Sequence, residues 1–210
     1  MENTITFNYM PYIYFESYKN VLNNVREHYP TADIFIYMDS FRDDIEKYRK
    51  ISDEHNCKLI IRDNHIFYTN REDSLEINKP KLIEVFDRIK YTCENTYSEW
   101  LMILEDDVLI KKQIENWPKA DVGTCRDYRR PGGGSVFKRN TFLNSLAVAD
   151  VTDIITTTPD ANWAADVVLE NIFLRNAATF EEWKELAEPN YRDKHPHSVY
   201  HGYKDLYKLR

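Results

Sequence analysis

Trp100-Leu101-Met102-Ile103-Leu104-Glu105-Asp106-Asp107-Val108-Leu109-Ile110 places three consecutive carboxylates inside an otherwise apolar run. The apolar residues read as a buried strand, and the acids as its carboxyl end. Burying a carboxylate is costly unless it is paired or bound to a metal. A divalent cation explains three of them together; a solvated acidic turn is the alternative. Side chains alternate along a strand, so Glu105 and Asp107 are expected on one face and Asp106 on the other, unless the backbone turns. Open α/β sheets put their ligand crevice at the carboxyl ends of parallel strands.

Upstream, the pattern supplies such a sheet. Thr4 to Met10 reads as a strand ended by Pro11, and Phe15, Tyr18, Val21, Leu22 and Val25 fall at helical spacing. Asp33 to Asp39 is a second buried strand closing on an acid. A helix over about 42–55 leads to a third, Lys58 to Asp63. This βαβαβ order predicts an α/β fold with a central, mostly parallel sheet of about six strands flanked by helices. Asp39, Asp63 and the Glu105-Asp107 cluster would then line a common crevice. Asn64 to Asn78 reads as a polar loop, and Pro80 as the first residue of a helix whose apolar side is Leu82, Ile83, Val85, Phe86 and Ile89.

Composition narrows the class. At 210 residues and 42% hydrophobic, the chain is expected to be one domain with a substantial core, standing alone or as part of a longer polypeptide. A net charge of -7 argues against nucleic acid as a partner, although the cluster Arg126, Arg129 and Arg130 is able to meet phosphate locally. Cys57, Cys93 and Cys125 are odd in number and lack CxxC spacing, which suits buried thiols in a reducing compartment. No apolar run is long enough to span a bilayer, and the amino terminus lacks a basic region followed by an apolar one. A soluble, cytoplasmic location is expected.

Beyond Ile110, Lys111 to Lys119 reads as a short amphipathic piece and Val122 to Cys125 as a strand. Gly132-Gly133-Gly134-Ser135 either turns sharply or lets a substrate approach the backbone; it fits neither a P-loop, nor a nucleophile elbow, nor GxGxxG. Asp166 and Glu170 stand at i and i+4 on a helix beginning after Trp163, as catalytic carboxylates or as a solvated face. His195, His197 and His201 cluster late in the chain, as metal ligands or as an incidental tail. Oxygen-rich ligation favours Mn2+ or Mg2+ over zinc.

The alternating α/β half ending in Leu104-Glu105-Asp106-Asp107-Val108, the glycine run, the acid-bearing helix and His201-Gly202-Tyr203-Lys204 together resemble a GT-A fold glycosyltransferase. The resemblance implies a single Rossmann-like domain, with a nucleotide-binding half over about 1–110 and an acceptor half over about 111–210. Glu105-Asp106-Asp107 matches the DxD motif, with Asp107 and His201 as ligands of Mn2+ (or Mg2+) and Glu105 and Asp106 placing ribose and sugar. Tyr9, Met10, Tyr12, Asp39, Asp63 and Lys81 fall to the nucleotide site, Gly133 and Gly134 to the sugar, and Lys204 to a phosphate. Asp166, with Glu170 behind it, matches the acid facing the reacting carbon.

The resemblance further implies a UDP-sugar donor, a glycan or glycoprotein acceptor, and transfer of a hexosyl group with retention of configuration. Late histidine and lysine are similar to those of glycogenin-like members, although the spacing leaves His197 and His201 as alternatives. The compact chain is also similar to transferase domains of large algal DNA viruses, which would place it in the host cytoplasm. Two other readings stay open. One is a binding module for a nucleotide sugar or glycan; the other is a sugar nucleotidyltransferase, against which the Tyr9-Met10-Pro11-Tyr12 loop lacks glycine.

Overall fold

The computed structural model describes residues 4–11, 15–40, 42, 44–63, 69, 71–125, 130–187 and 197–201. Four strands carry the parallel half of the sheet: β1 (Ile5–Tyr9), β2 (Asp33–Asp39), β3 (Lys58–Arg62) and β4 (Trp100–Leu104). Later strands β6 (Val122–Thr124), β7 (Val136–Lys138) and β8 (Phe180–Glu182) extend it, giving the order β3-β2-β1-β4-β7-β6-β8. Strand β7 runs antiparallel to both neighbours, and the other pairs are parallel. The central, mostly parallel sheet of about six strands expected from the sequence has seven. The short pieces Val136–Lys138 and Phe180–Glu182 are legible only by what they pair with.

The period-two pattern of β4 divides the core. Trp100, Met102 and Leu104 enter one apolar cluster with Tyr18, Val21, Leu22 and Val25 of α1 (Phe15–His28) and with Tyr48 of α2 (Ile45–Glu54). Leu101 and Ile103 enter the other, with Leu82, Phe86 and Ile89 of α3 (Leu75–Glu94). Phe142 of α4 (Arg139–Val148), Ile154 and Ile155 of α5 (Val151–Thr157) and Phe173 of α6 (Ala165–Arg175) close that second face. Helices thus cover both faces, as the sequence rhythm predicted.

Helix α3 departs from expectation. It begins at Leu75, so Pro80 lies inside it and residues 75–78 are helical rather than loop. Its first turn is held by Ser74, whose carbonyl accepts from the N–H groups of Ile77 and Asn78, while Asn78 and Leu82 are fully buried beneath it. Tertiary burial outweighs the single backbone bond that Pro80 removes. Residues 111–119 form neither helix nor strand. They are anchored instead by Tyr29 Oη accepting from the Ile114 N–H at 2.6 Å and Trp183 Nε1 donating to the Asn116 carbonyl at 2.8 Å.

A separate three-stranded sheet, β5-β10-β9, is made from β5 (Leu109–Ile110), β9 (Leu186–Ala187) and β10 (Val199–Tyr200). Asn24 of α1 acts as a strand partner for it: its Nδ2 donates to the Ile110 carbonyl and its Oδ1 accepts from the Ile110 N–H, each at 2.6 Å. Glu185 ties the sheet down from below, accepting from Asn116 Nδ2 at 2.7 Å and from the Ser198 hydroxyl.

Burial alone would raise the Glu185 carboxyl, but those two hydrogen bonds, together with the Lys112 charge and the Ser198 backbone, outweigh it and hold it below the ordinary value. A folded pKa below the unfolded one contributes stability at higher pH that is lost as pH falls through the folded value. Urea midpoints should therefore drop below a pH of about 4. Glu185→Gln should shed part of that acid dependence and cost stability at neutral pH; an unchanged acid limb would refute the assignment.

None of the three cysteines is in a disulfide; Cys93 and Cys125 are buried and Cys57 is half-buried. Among the described residues no helix is long and apolar enough to cross a membrane.

Candidate functional site

The acidic triplet follows β4 at the point where strand order reverses, since β1 lies between β2 and β4. The backbone does turn there: the Val108 N–H donates to the Glu105 carbonyl at 3.1 Å. Tyr9 pairs with Leu104 across the sheet. Asp106, two residues on from Leu104, points to the same side as Tyr9, whose hydroxyl donates to Asp106 Oδ1 at 2.7 Å. Both are buried, at 0% and 2% exposed. Burial, reinforced by the Asp106 charge, pushes the Tyr9 phenol well above its ordinary value, so it stays a donor.

Glu105 and Asp107 lie apart from the buried Asp106 through this turn rather than through strand alternation, which ends at Leu104, and His201 meets them. The small sheet explains why. Strand β5 leaves the triplet directly, and β10 returns antiparallel to it with Tyr200 opposite Leu109, so the next residue arrives beside the turn. The His201 N–H donates to the Ala187 carbonyl at 2.9 Å. Its Nε2 lies 3.4 Å from Glu105 Oε2 and 3.7 Å from Asp107 Oδ1.

One ligand atom from each of the three residues falls within 4.8 Å of the others. Neighbouring ligands of an octahedral ion at about 2.1 Å are about 3 Å apart, so this O, O, N set fits a hard divalent cation with small adjustments.

The glycine run makes room for the cluster. Gly134 has φ +78° and donates to the Ile103 carbonyl at 2.8 Å. A Cβ on Gly133 would lie 2.9 Å from both the Glu105 carboxyl carbon and His201 Cδ2. The run is therefore more than a turn: it lets the backbone pass directly against the acids. Beside it opens a cavity of about 320 Å³ whose walls include Arg130, Gly133, Ser135, Asp166 and His201.

Asp166 stands in the first turn of α6, its Oδ1 accepting from the Val167 N–H at 3.0 Å. Glu170 is half-buried one turn on, and among the described residues the cavity wall takes in Asp166 without it.

Other expected site residues lie elsewhere. Asp39, 6% exposed, receives Arg88 Nη2 at 2.6 Å, and Arg88 also reaches Glu84 at 3.0 Å. Asp63 is exposed beyond β3, three strand spacings (about 14 Å) from β4. Met10 packs against the second core cluster, and Lys81 pairs with Asp73 at 3.4 Å.

His197 is turned away from the acids, its Nδ1 at 2.7 Å from the Lys184 carbonyl. Tyr12, His195 and Lys204 lie outside the described residues. Sequence reasoning passed over Arg88, which could have been found as a cation beside the apolar stripe of α3. Arg130 belongs to the basic cluster expected to meet phosphate, and it stands on the cavity wall, while Arg126 and Arg129 lie outside the described residues.

No protein-family model and no curated protein matches the sequence. Among solved structures the chain is similar to the galactosyltransferase LgtC, in complex with donor and acceptor sugar analogs. The identity is 12% and the TM-score 0.60, over 98% of this chain and 95% of that one. It is also similar to the apo-form glycosyltransferase GlyE of Streptococcus pneumoniae TIGR4, with 11% identity and a TM-score of 0.57 over 96% of this chain. The match covers 55% of the GlyE chain. The likeness establishes the fold, a GT-A glycosyltransferase fold.

Proposed function

We propose that the chain is a divalent-cation-dependent glycosyltransferase that moves a hexosyl group from a UDP-sugar to a glycan or glycoprotein acceptor. The observation that carries this reading is the convergence of Glu105, Asp107 and His201 at the carboxyl end of β4, beside the cavity that Asp166 lines. Mn2+ (or Mg2+), when bound, would offset the charge that grows on the departing diphosphate. Glu105, Asp107 and His201 would hold that ion, which adds Glu105 to the two ligands expected from sequence.

Arg130 on the cavity wall supplies a second positive group towards the leaving phosphate, and Gly133 admits the sugar close to the backbone. Asp166 faces the positively charged sugar ring, and configuration is retained. In this scheme residues 1–110 hold the nucleotide and residues 111–210 the acceptor. The enzyme works in the cytoplasm, and in the host cytoplasm if its source is viral.

Calorimetric titration of UDP, GDP and CMP with and without Mn2+ tests the reading, with Mn2+-dependent binding of UDP expected. Binding of none of the three nucleotides would remove it. Asp166→Ala separates a transferase from a binding module. It should keep UDP and Mn2+ binding while lowering transfer by on the order of 10²- to 10³-fold. Full activity in that variant would discard Asp166 as a reacting group, and proton NMR of the product anomer decides retention.

A further inference from the structure

We propose that Tyr9 is a positioning residue for the cation site: it anchors the middle acid of the triplet beneath the sheet, so that the two flanking acids turn together towards His201. The inference rests on the cation reading above and deepens it. Glu105 and Asp107 are each one residue from Asp106, and Asp106 is the member of the triplet that goes inside. A carboxylate buried to 2% exposure needs a donor, and the Tyr9 hydroxyl supplies one at 2.7 Å.

The phenol itself cannot swing away. Its ring stacks on Tyr18 at 5.7 Å, and Tyr18 packs edge-on against Tyr48 at 4.9 Å. All three rings are buried. The hydroxyl is thus a fixed point from which Asp106 sets the turn that presents the ligand pair.

Partners behind metal ligands orient them, and losing one typically weakens metal binding by about 10- to 100-fold. Tyr9→Phe keeps the ring and removes only the hydroxyl. In the full chain, well below its melting temperature, this variant should bind Mn2+ at least about 10-fold more weakly than wild type. Electron paramagnetic resonance of free Mn2+ gives the readout.

Asp106→Asn retains an acceptor for the Tyr9 hydroxyl and should hold Mn2+ nearly as wild type does, whereas Asp106→Ala should resemble Tyr9→Phe. This second pair keeps the test open should Tyr9→Phe fail to fold. A purely structural tyrosine would lower the melting temperature and leave Mn2+ affinity unchanged, which overturns the proposal. Equal losses in Asp106→Asn and Asp106→Ala would also overturn it, because charge rather than the hydrogen bond would then matter. If wild type fails to take up Mn2+, the cation reading itself falls and this inference with it.

Discussion

Asp107→Ala should abolish Mn2+-dependent binding of UDP and reduce transfer by on the order of 10³-fold while leaving the fold intact. The triplet turn is closed by main-chain atoms, the Val108 N–H on the Glu105 carbonyl. The Asp107 side chain is 16% exposed and points away from the Tyr9 side, towards His201. Its removal leaves one carboxylate and one imidazole. A two-ligand remnant holds a hard cation weakly, because such ions take most of their binding energy from charged oxygen. Calorimetry with UDP and Mn2+ reads the loss, and circular dichroism checks the fold. Wild-type affinity in the variant would return the triplet to an acidic turn.

Gly133→Ala should weaken Mn2+ binding by about 10- to 100-fold at little cost to folding. The added methyl would stand 2.9 Å from the Glu105 carboxyl carbon and 2.9 Å from His201 Cδ2. Both are the outer ends of side chains that can move aside, so the core is not strained, and stability should change by no more than about 0.5 kcal/mol. They are also two of the three groups proposed to hold the cation, and displacing them would spread the donor atoms. Melting temperature and Mn2+ affinity should therefore separate in this variant. A parallel fall in both would show that Gly133 serves the backbone rather than the site.

Much of the first half was legible because its elements are long and periodic. The apolar runs at β1, β2, β3 and β4, each ending near an acid or a turn, lead to the observed parallel pairing, with β3 at the edge only half-buried. The stripe of Phe15, Tyr18, Val21, Leu22 and Val25 gives α1 as found. The second half was less legible. Strands of two or three residues such as Leu109–Ile110, Leu186–Ala187 and Val199–Tyr200 carry no period, and they exist because their partners do.

Asp39 shows the limit for site residues. An acid at the end of a strand promises an open ligand, yet a salt bridge from Arg88, 49 residues away in sequence, takes it inside.

The sequence alone marked Glu105-Asp106-Asp107 as a carboxylate cluster at the end of a buried strand, but strand alternation does not set which of the three share a side, because the chain turns there. The sequence also determined that oxygen donors dominate, and that the glycine run permits a close approach. Which histidine joins them depends on long-range strand pairing. His201 reaches the acids because β10 pairs with the strand that leaves the triplet, while His197, four residues earlier, turns to the Lys184 carbonyl. Tertiary structure likewise made Tyr9 an anchor beneath the site, since the register of β1 on β4 sets which side chains meet across the sheet. Pairings between segments about 90 residues apart are fixed by the packing of the whole core, and no local pattern records them.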